Sequence, residues 1–374
     1  MHPADQYIAE RLEQRKQAGN YRSLKSEVTG LIDFASNDYL GFARSEELKR
    51  LIDLELNSHG DYLNGSTGSR LLTGNINYAQ QLEAEIAAVH QHEAGLIFNS
   101  GYDANVGLFC SLPQRGDTVI TDELIHASII DGIRLGNANR YTFKHNDLDS
   151  LEEKLKNAKG RIYIAVESVY SMDGDLAPIQ DIIPLSEKYG ANLIIDEAHA
   201  IGVIGKGLID QLQLQHQVFA RVVTFGKAMG THGAVVLGSQ LLHDYLVNFA
   251  RSFIYSTAAS FHQLAGIKAS YQLLQKSENT IDQLWHNINL LKSLTGDTSF
   301  AIAGLSAINC ILAGDNFKTI SWANQLKSAG FDIRPVLSPT VAEGTERLRI
   351  CMHSYNTEQE VKLLAATLQK LSND

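Results

Sequence analysis

The chain contains little cysteine. Only three of its 374 residues are cysteines, Cys110, Cys310 and Cys351, and they lie far apart without a CxxC pair. Disulfide frameworks, zinc knuckles and redox pairs need closely spaced cysteines, so the sequence predicts none of these and no metal site. It also lacks an apolar run near the roughly 20 residues that span a bilayer, and its polar start, MHPADQYIAERLEQRK, lacks a secretory apolar core. We therefore expect a cytoplasmic protein with no membrane partner.

Positive charge is also scarce. The chain has 32 lysines and arginines against 42 acidic residues, a formal net charge of −10. This balance argues against a protein whose main task is to bind nucleic acid or an anionic membrane. With 44% hydrophobic residues, 20% charged residues and no internal repeat, the composition indicates one large or two moderate globular domains.

The middle of the chain alternates short apolar runs with amphipathic helical segments. Strands alternating with helices predict an α/β fold with a mostly parallel sheet covered on both faces. The predicted helices are 77–92, 147–157 and 179–189, and the predicted strands are 94–98, 118–121, 162–169, 191–196, 221–225 and 234–237.

The pattern changes after a helix-rich stretch from about 239 to 294. The segments GDTSFAIAGLSAINCILAG, FDIRPVLSPT and RLRICMH, with helices at 320–329 and 357–371, indicate a smaller α+β unit. We predict a large domain over 45–288 and a small domain built from 1–44 and 289–374. The N-terminal part contributes a helix over 5–19 and a short strand in GLIDFASNDYLGF.

The familiar phosphate-binding motifs are absent. FGKAMG is not a P-loop, because Arg221 stands where the first glycine belongs and Ala228 where Ser or Thr is required. GVIGKG follows the strand NLIID without matching GxGxxG, which argues against a dinucleotide fingerprint. A phosphate-containing ligand must therefore be bound in another way.

Polar residues follow several predicted strands, at the edge where an open α/β sheet binds its ligand. NLIID ends at Asp196, with His199 three residues later, and VVTF precedes Lys227. Taken singly, such residues are more often turn, cap or solvated residues. Together, a lysine that can form a Schiff base, a carboxylate that can pair with a protonated ring nitrogen, and Ser/Thr-rich loops meet the requirements of pyridoxal phosphate.

Three further segments have both a structural and a functional interpretation. NSGYDAN, between a strand and a helix, is either a plain helix start or a set of amides for the phosphate. His126 in DELIHASIID is either a turn residue or a ring that stacks on the cofactor, and alone we favour the turn. RLRI alternates like an edge strand, which places Arg347 and Arg349 on one face, either solvated or gripping a substrate carboxylate.

The motifs together resemble the α-oxoamine synthases, which are fold-type I pyridoxal-phosphate enzymes. The resemblance covers almost the whole chain and implies a large domain with a mostly parallel, seven-stranded type of sheet, plus a smaller α+β C-terminal domain. The blocks occur in family order: FASNDYLGF, GSTGSRLLTGN, FNSGYDAN, DELIHASI, FKHND, ESVYSMDGD, DEAHAIGVIG, VVTFGKAMG, IYST and SPTVAEGTERLRI.

The resemblance also implies residue roles. Lys227 is the Schiff-base lysine, Asp196 the partner of the ring nitrogen, His199 the partner of the ring hydroxyl and His126 the stacked ring. The family is homodimeric with the active site at the subunit boundary, so Ser256 or Thr257 is expected to serve the neighbouring subunit. Further cofactor contacts are expected at Gly101, Tyr102, Ser171 and Thr224, and substrate contacts at Arg22, Asn37, Ser69, Thr340 and Arg349.

The implied reaction joins an amino acid to an acyl thioester, with loss of CO2 and release of the thiol. The best-matching members use L-alanine with pimeloyl-CoA or a pimeloyl carrier protein. Ser69 stands where glycine-using relatives have threonine, and the missing methyl leaves room for alanine without proving it. A glycine C-acetyltransferase or another acyl donor, a plain aminotransferase and a non-catalytic subunit of the same fold stay open as alternatives.

Overall fold

The computed structural model describes residues 2–24, 30–296 and 305–372, so part of the predicted GDTSFAIAGLSAINCILAG segment lies outside the described residues. Its strands are β1 Ile32–Asp33, β2 Ala94–Phe98, β3 Thr118–Asp122, β4 Asn139–Phe143, β5 Ile162–Glu167, β6 Ala191–Asp196, β7 Ala220–Thr224, β8 Ala234–Gly238, β9 Ile308–Leu312, β10 Phe331–Asp332, β11 Arg334–Val336 and β12 Arg347–Cys351.

The helices precede, separate and follow these strands along the chain. They are α1 Pro3–Gln17, α2 Glu46–Ser58, α3 Asn77–Val89, α4 Gly101–Ser111, α5 Ala127–Leu135, α6 Leu148–Asn157, α7 Ile179–Tyr189, α8 Leu208–Leu212, α9 Gln240–Phe249, α10 Arg251–Ile254, α11 Phe261–Leu274, α12 Glu278–Thr295, α13 Asn316–Ser328 and α14 Glu358–Ser372. In the described part of the chain, none of these has the length and apolar content that a bilayer-spanning helix needs.

The chain divides into two compact units. The large unit contains residues 38–171 and 176–282, and the small unit contains the described residues of 1–37, 172–175 and 283–374. The predicted large domain of 45–288 differs from the large unit at both ends and includes the four-residue excursion at 172–175. Sequence periodicity carries no signal for so short an excursion.

The large unit is built on a seven-stranded sheet with the order β2-β8-β7-β6-β5-β3-β4. Only β8 runs against its neighbours, since it pairs antiparallel with both β2 and β7, while the pairs from β7 to β4 are parallel. The carboxyl ends of the other six strands therefore share one edge. The edge strand β4 was missed in the sequence because NRYTF is largely polar and only its last residue is buried.

The central strands are buried on both faces, which is why they read as continuous apolar runs. Side chains alternate between faces, so along β5 Ile164 and Val166 join one apolar cluster while Tyr163 and Ala165 join the other. The first cluster includes residues of α6 and α7, and the second includes residues of α4 and α5. This packing fixes the strand ends at which the polar residues lie.

The small unit contains an antiparallel sheet of order β11-β12-β9 and the parallel pair β1-β10. The expectation that RLRI forms an edge strand is wrong, because β12 pairs on both sides and is central. Arg347 is accordingly buried rather than solvated, and its guanidinium forms an ion pair with Asp173. A charge can occupy this position because its partner lies in the short 172–175 segment.

Candidate active site

Lys227 lies in the loop between β7 and β8, at the shared strand-end edge of the large unit. Two backbone hydrogen bonds shape this loop, from Gly230 N to the Lys227 carbonyl and from Thr231 N to the Phe225 carbonyl, both 2.9 Å. The lysine Nζ lies 2.7 Å from Nε2 of His199, which follows β6. Two of the predicted catalytic residues are thus in direct contact.

Asp196 is the last residue of β6 and is buried. Its Oδ2 accepts a hydrogen bond of 2.7 Å from Asn105 Nδ2, and its Oδ1 accepts one of 2.9 Å from Ala198 N. The same Asn105 amide donates to Ser128 Oγ at 3.0 Å. These donors hold the carboxylate in one orientation, as a partner of a protonated ring nitrogen requires.

Gly101 and Thr224 meet where β2 passes into α4. A Cβ on Gly101 would lie 2.6 Å from Thr224 Cγ2, a separation that only glycine permits. Ser100 caps α4 by accepting from Asp103 N at 3.0 Å, so the first-turn amides of the helix are presented at this point. Thr224 Oγ1 is buried and has no hydrogen-bond partner among the described residues.

His126 caps the start of α5. Its Nδ1 accepts from Ser128 N at 3.2 Å and lies 2.8 Å from Ser128 Oγ. Burial lowers the pKa of this histidine, with a further reduction from the positive charge of Lys227 and an opposing increase from Asp196. The Nδ1 atom of His126 thus makes the local hydrogen bond expected of a turn residue, while stacking of its ring on the cofactor stays a prediction.

Glu167 ends β5 and is paired in register with Asp196 on β6. Burial, together with the neighbouring charge of Asp196, raises the pKa of Glu167 well above its usual range. The backbone N–H groups of His126 and Ser171 donate hydrogen bonds to its carboxylate. Glu167 thereby connects two loops that carry predicted cofactor residues.

The remaining predicted residues of the large unit lie on more accessible segments. Tyr102 is half exposed, and its hydroxyl donates a 2.5 Å hydrogen bond to Asp131, which raises the pKa of the phenol. Thr257 is exposed, and its carbonyl accepts from Asn99 Nδ2 at 2.8 Å. Ser69 is half-buried, and its carbonyl accepts from two later amides of its turn, those of Leu72 and Gly74, at 3.0 Å.

The predicted substrate residues of the small unit form two local groups. Arg22 donates a 3.0 Å hydrogen bond from Nη2 to Thr340 Oγ1, and both line a cavity of about 210 Å³. Arg349 is half-buried on β12, with its Nη1 2.8 Å from Cys351 Sγ. Cys351 Sγ also lies 3.9 Å from Asn37 Oδ1, so Arg349 and Asn37 contact the same thiol.

Two residues of the site were not identified from the sequence. Asn105 orients Asp196, and Tyr39 is fully buried with its hydroxyl 2.8 Å from His199 Nδ1. For Asn105, one available signal was an amide side chain four residues after Gly101, within the first turns of the predicted helix. For Tyr39, the only signal was its position in the quoted block FASNDYLGF.

The chain belongs to the aminotransferase class I and II family, whose model matches residues 29–368. The 8-amino-7-oxononanoate synthase of Emericella nidulans is 38% identical over 390 residues, which cover 96% of this chain and 94% of that protein. The crystal structure of 8-amino-7-oxononanoate synthase from Francisella tularensis matches with a TM-score of 0.78 and 28% identity, covering 92% of this chain and 98% of that one.

A serine palmitoyltransferase structure with pyridoxal phosphate superposes with a TM-score of 0.88 over 99% of this chain and 97% of that chain. At 24% identity this likeness shows the fold alone. The predicted fold class and the resemblance stated from the motifs are confirmed by the family match and these structures.

Pyridoxal phosphate is the cofactor of this class of enzyme, and the residues present fit it. An amine, an anchored carboxylate and a histidine meet at one strand-end edge, and the unpartnered hydroxyl of Thr224 can donate to a phosphate oxygen. The absence of a Cβ at Gly101 leaves the helix start open to the same group.

Proposed function

We propose that the protein condenses L-alanine with a pimeloyl thioester to give 8-amino-7-oxononanoate, CO2 and the free thiol, in biotin biosynthesis. It is a pyridoxal-phosphate-dependent acyltransferase. The observation that carries the proposal is the match to an 8-amino-7-oxononanoate synthase over 96% of the chain, with a lysine, a carboxylate and a histidine assembled at the strand ends.

The large unit would hold the cofactor. Lys227 would bind it covalently, Asp196 would hold the proton of the ring nitrogen, and His126 would cover one face of the ring. Thr224 and the amides from Gly101 onward would bind the phosphate, with Tyr102 and Ser171 as further contacts. When bound, pyridoxal phosphate supplies an electron-poor ring that stabilises negative charge on the α-carbon of the amino acid.

The protein groups supply binding and proton transfer. Lys227 Nζ takes the α-proton of alanine, as a general base, and later returns a proton to the same carbon. Two hydrogen bonds hold the Asp196 carboxylate in one position, where it would serve as the partner for a cation. The new carbon–carbon bond joins this α-carbon to the acyl carbon, from which the thiol leaves, and the carboxyl group of alanine departs as CO2.

The small unit would supply substrate recognition. The planar guanidinium of Arg349 is suited to a carboxylate, which it can bind with two parallel hydrogen bonds. The Arg22–Thr340 pair and Asn37 would contact the substrates as well. Whether the acyl group arrives on coenzyme A or on a carrier protein is decided by the experiment below.

A glycine C-acetyltransferase is the competing activity. Ser69 permits alanine, because a serine in this turn has one methyl fewer than the threonine of glycine-using relatives. A plain aminotransferase would form a keto acid and release no thiol, so the products separate it as well.

Mass spectrometry of the product tests the proposal. Purified protein loaded with pyridoxal phosphate is given L-alanine, glycine and L-serine together with pimeloyl-, acetyl- and palmitoyl-CoA, and in a second reaction with a pimeloyl carrier protein. We expect one dominant product, from alanine and a pimeloyl thioester, that disappears in Lys227→Ala. A dominant product from glycine and acetyl-CoA would replace the proposal by the competing activity, and no product from any pair would overturn it.

We also propose that the protein is a homodimer in which Ser256 or Thr257 serves the cofactor of the neighbouring subunit. Support comes from two large apolar side chains that are exposed on the large unit. Tyr255, which precedes Ser256, is 72% exposed, and Leu72, in the GSTGSRLLTGN block, is 81% exposed. Large apolar side chains that a chain leaves exposed are candidates for an interaction surface. The cytoplasmic location predicted from the sequence stays part of this proposal.

Light scattering coupled to gel filtration tests the dimer. We expect twice the mass of one chain for the wild-type protein and for a control, Leu241→Asp, in which a residue 82% exposed on α9 is changed. Leu72→Asp should shift the protein toward the monomer and weaken cofactor binding. A wild-type monomer that binds the cofactor fully would refute the arrangement.

A further inference from the structure

Tyr39 extends the contact between Lys227 and His199 into a line of three residues. The hydroxyl of Tyr39 lies 2.8 Å from His199 Nδ1, and His199 Nε2 lies 2.7 Å from Lys227 Nζ. Tyr39 is fully buried and His199 is 4% exposed. The two ring nitrogens of His199 therefore contact different groups. In the neutral imidazole only one nitrogen carries a hydrogen, so the hydrogen bond at one nitrogen determines whether the other can donate.

The segment that carries Tyr39 is held firmly. Asp38 accepts from Ala43 N at 3.0 Å and from Arg44 Nε at 2.9 Å, which closes the turn around residues 38–44. Gly230, in the loop of Lys227, packs on this turn so tightly that a Cβ there would lie 2.4 Å from Ala43 N. The Tyr39 hydroxyl is consequently fixed relative to the lysine loop.

We propose that Tyr39 is a positioning residue that holds His199 in the tautomer with its proton on Nε2. In this arrangement the Tyr39 hydroxyl, which can donate or accept, donates its hydrogen to Nδ1. A neutral imidazole that accepts at Nδ1 carries its hydrogen on Nε2. Nε2 then carries the hydrogen on the side of Lys227 Nζ, where it can donate to the ring hydroxyl of the bound cofactor or to the lysine amine in its neutral form.

This assignment deepens the proposed function, because it rests on His199 as the partner of the cofactor's ring hydroxyl. A donor at that oxygen stabilises its negatively charged form and lowers the pH at which the bound cofactor loses its proton. Without the Tyr39 hydroxyl, the Nδ1–H tautomer becomes accessible and the donor is weakened. The charge of Lys227, at one end of this line, acts on the neighbouring groups His126 and Glu167, as does the charge of Asp196.

The first test is nitrogen-15 NMR of histidine-labelled protein loaded with pyridoxal phosphate. The chemical shifts of the two ring nitrogens distinguish a protonated from an unprotonated nitrogen, and His199→Gln identifies the signals of His199. We expect Nε2 to be protonated and Nδ1 unprotonated at neutral pH. The reverse assignment, with the proton on Nδ1, would overturn the proposal, and this measurement needs no Tyr39 variant that folds.

The second test is a pH titration of the visible absorption of the bound cofactor in Tyr39→Phe, with Tyr163→Phe as the control. Tyr163 is also buried, on β5, where its ring contacts Phe219. Loss of one hydrogen bond should raise the midpoint in Tyr39→Phe by about 0.5 to 1 pH unit, with no shift in the control. An unchanged midpoint in a variant that binds the cofactor normally would contradict the role.

Both tests need the cofactor and neither needs an acyl donor. Failure of the condensation reaction with alanine and a pimeloyl thioester would therefore leave the role of Tyr39 open to measurement. Conversely, a correct condensation product with His199 protonated on Nδ1 would refute the role of Tyr39 alone.

Discussion

Replacement of Gly101 by alanine should damage the cofactor site through a single steric contact. The new Cβ would lie 2.6 Å from Thr224 Cγ2, while the next nearest atom, Thr224 Cβ, is 3.6 Å away. Thr224 ends β7 and is β-branched, so it relieves the contact only by leaving its preferred rotamer or by a shift of the strand end. Overpacking of this kind costs about 1–3 kcal/mol.

Thr224→Ser provides the matched rescue. Serine keeps the hydroxyl but lacks Cγ2, so Gly101→Ala should cost about 1–2 kcal/mol less in the Thr224→Ser background than in the wild type. Thermal unfolding of the cofactor-free protein measures the effect, at about 2–4 °C per kcal/mol for a unit of this size. Cofactor affinity, measured by absorbance titration, should fall in the single variant and recover in the double variant.

Gly60→Ala serves as the control, because no atom of the described residues, other than its two chain neighbours, lies within 4 Å of a Cβ at that position. Its melting temperature should change by less than that of Gly101→Ala. The reasoning is refuted if Gly101→Ala melts like the wild type, or if it loses the same stability in both backgrounds. In the second case the damage would come from the backbone of α4 and not from Thr224.

Three further predictions concern buried polar groups. Asn105→Ala removes a donor to Asp196, and hydrogen bonds to charged groups contribute about 1.5–3 kcal/mol, so cofactor affinity measured by titration should fall roughly tenfold or more. Glu167 has a raised pKa, so the folded state retains a proton that the unfolded chain releases. The free energy of unfolding therefore falls as the pH rises above the usual range of a carboxyl pKa. Glu167→Gln cannot release this proton, so its melting temperature should exceed that of the wild type by an increasing margin between pH 5 and 9. Burial and the charge of Arg221 lower the pKa of His92 to about 4, so stability falls as pH drops from about 6.5 toward 4, and His92→Gln should make that fall shallower in thermal melts.

Each of these predictions has a clear contrary result. Unchanged affinity in Asn105→Ala would mean that Asp196 keeps its orientation through its backbone contact alone. A Glu167→Gln melting curve parallel to that of the wild type at every pH would show that Glu167 titrates normally. An equally steep acid loss in His92→Gln would assign the loss to other groups.

The buried strands of the large unit were predictable because burial on both faces makes them mostly apolar. The runs over β5, β6 and β7 carried that signal directly, and the acid and the lysine behind them were found by position. The direction of β8 was not readable, since AVVLG is equally apolar in a parallel or an antiparallel strand. Edge strand β4 was missed for the opposite reason, because exposure allows it polar residues.

The contacts that orient the candidate catalytic groups could not be read from the sequence. Tyr39 reaches His199 across 160 residues and Asn105 reaches Asp196 across 91, and local periodicity carries no information about such pairs. The burial of Arg347 has the same origin, since its partner Asp173 is 174 residues away. Residue type and strand-end position therefore predicted which polar groups lie at the strand ends, while long-range packing decides how they are held.

Because β1 pairs with β10, it cannot complete its pairing until most of the chain has been synthesised. Ile32 leaves the ribosome early, yet its register partner is Phe331. At about 5–20 residues per second, roughly 15 to 60 seconds pass before the partner strand exists. All seven strands of the large sheet are synthesised during this interval. That sheet can therefore form on the nascent chain while β1 is still unpaired. Premature termination before Phe331 would leave the N-terminal strand permanently unpaired and open to proteolysis.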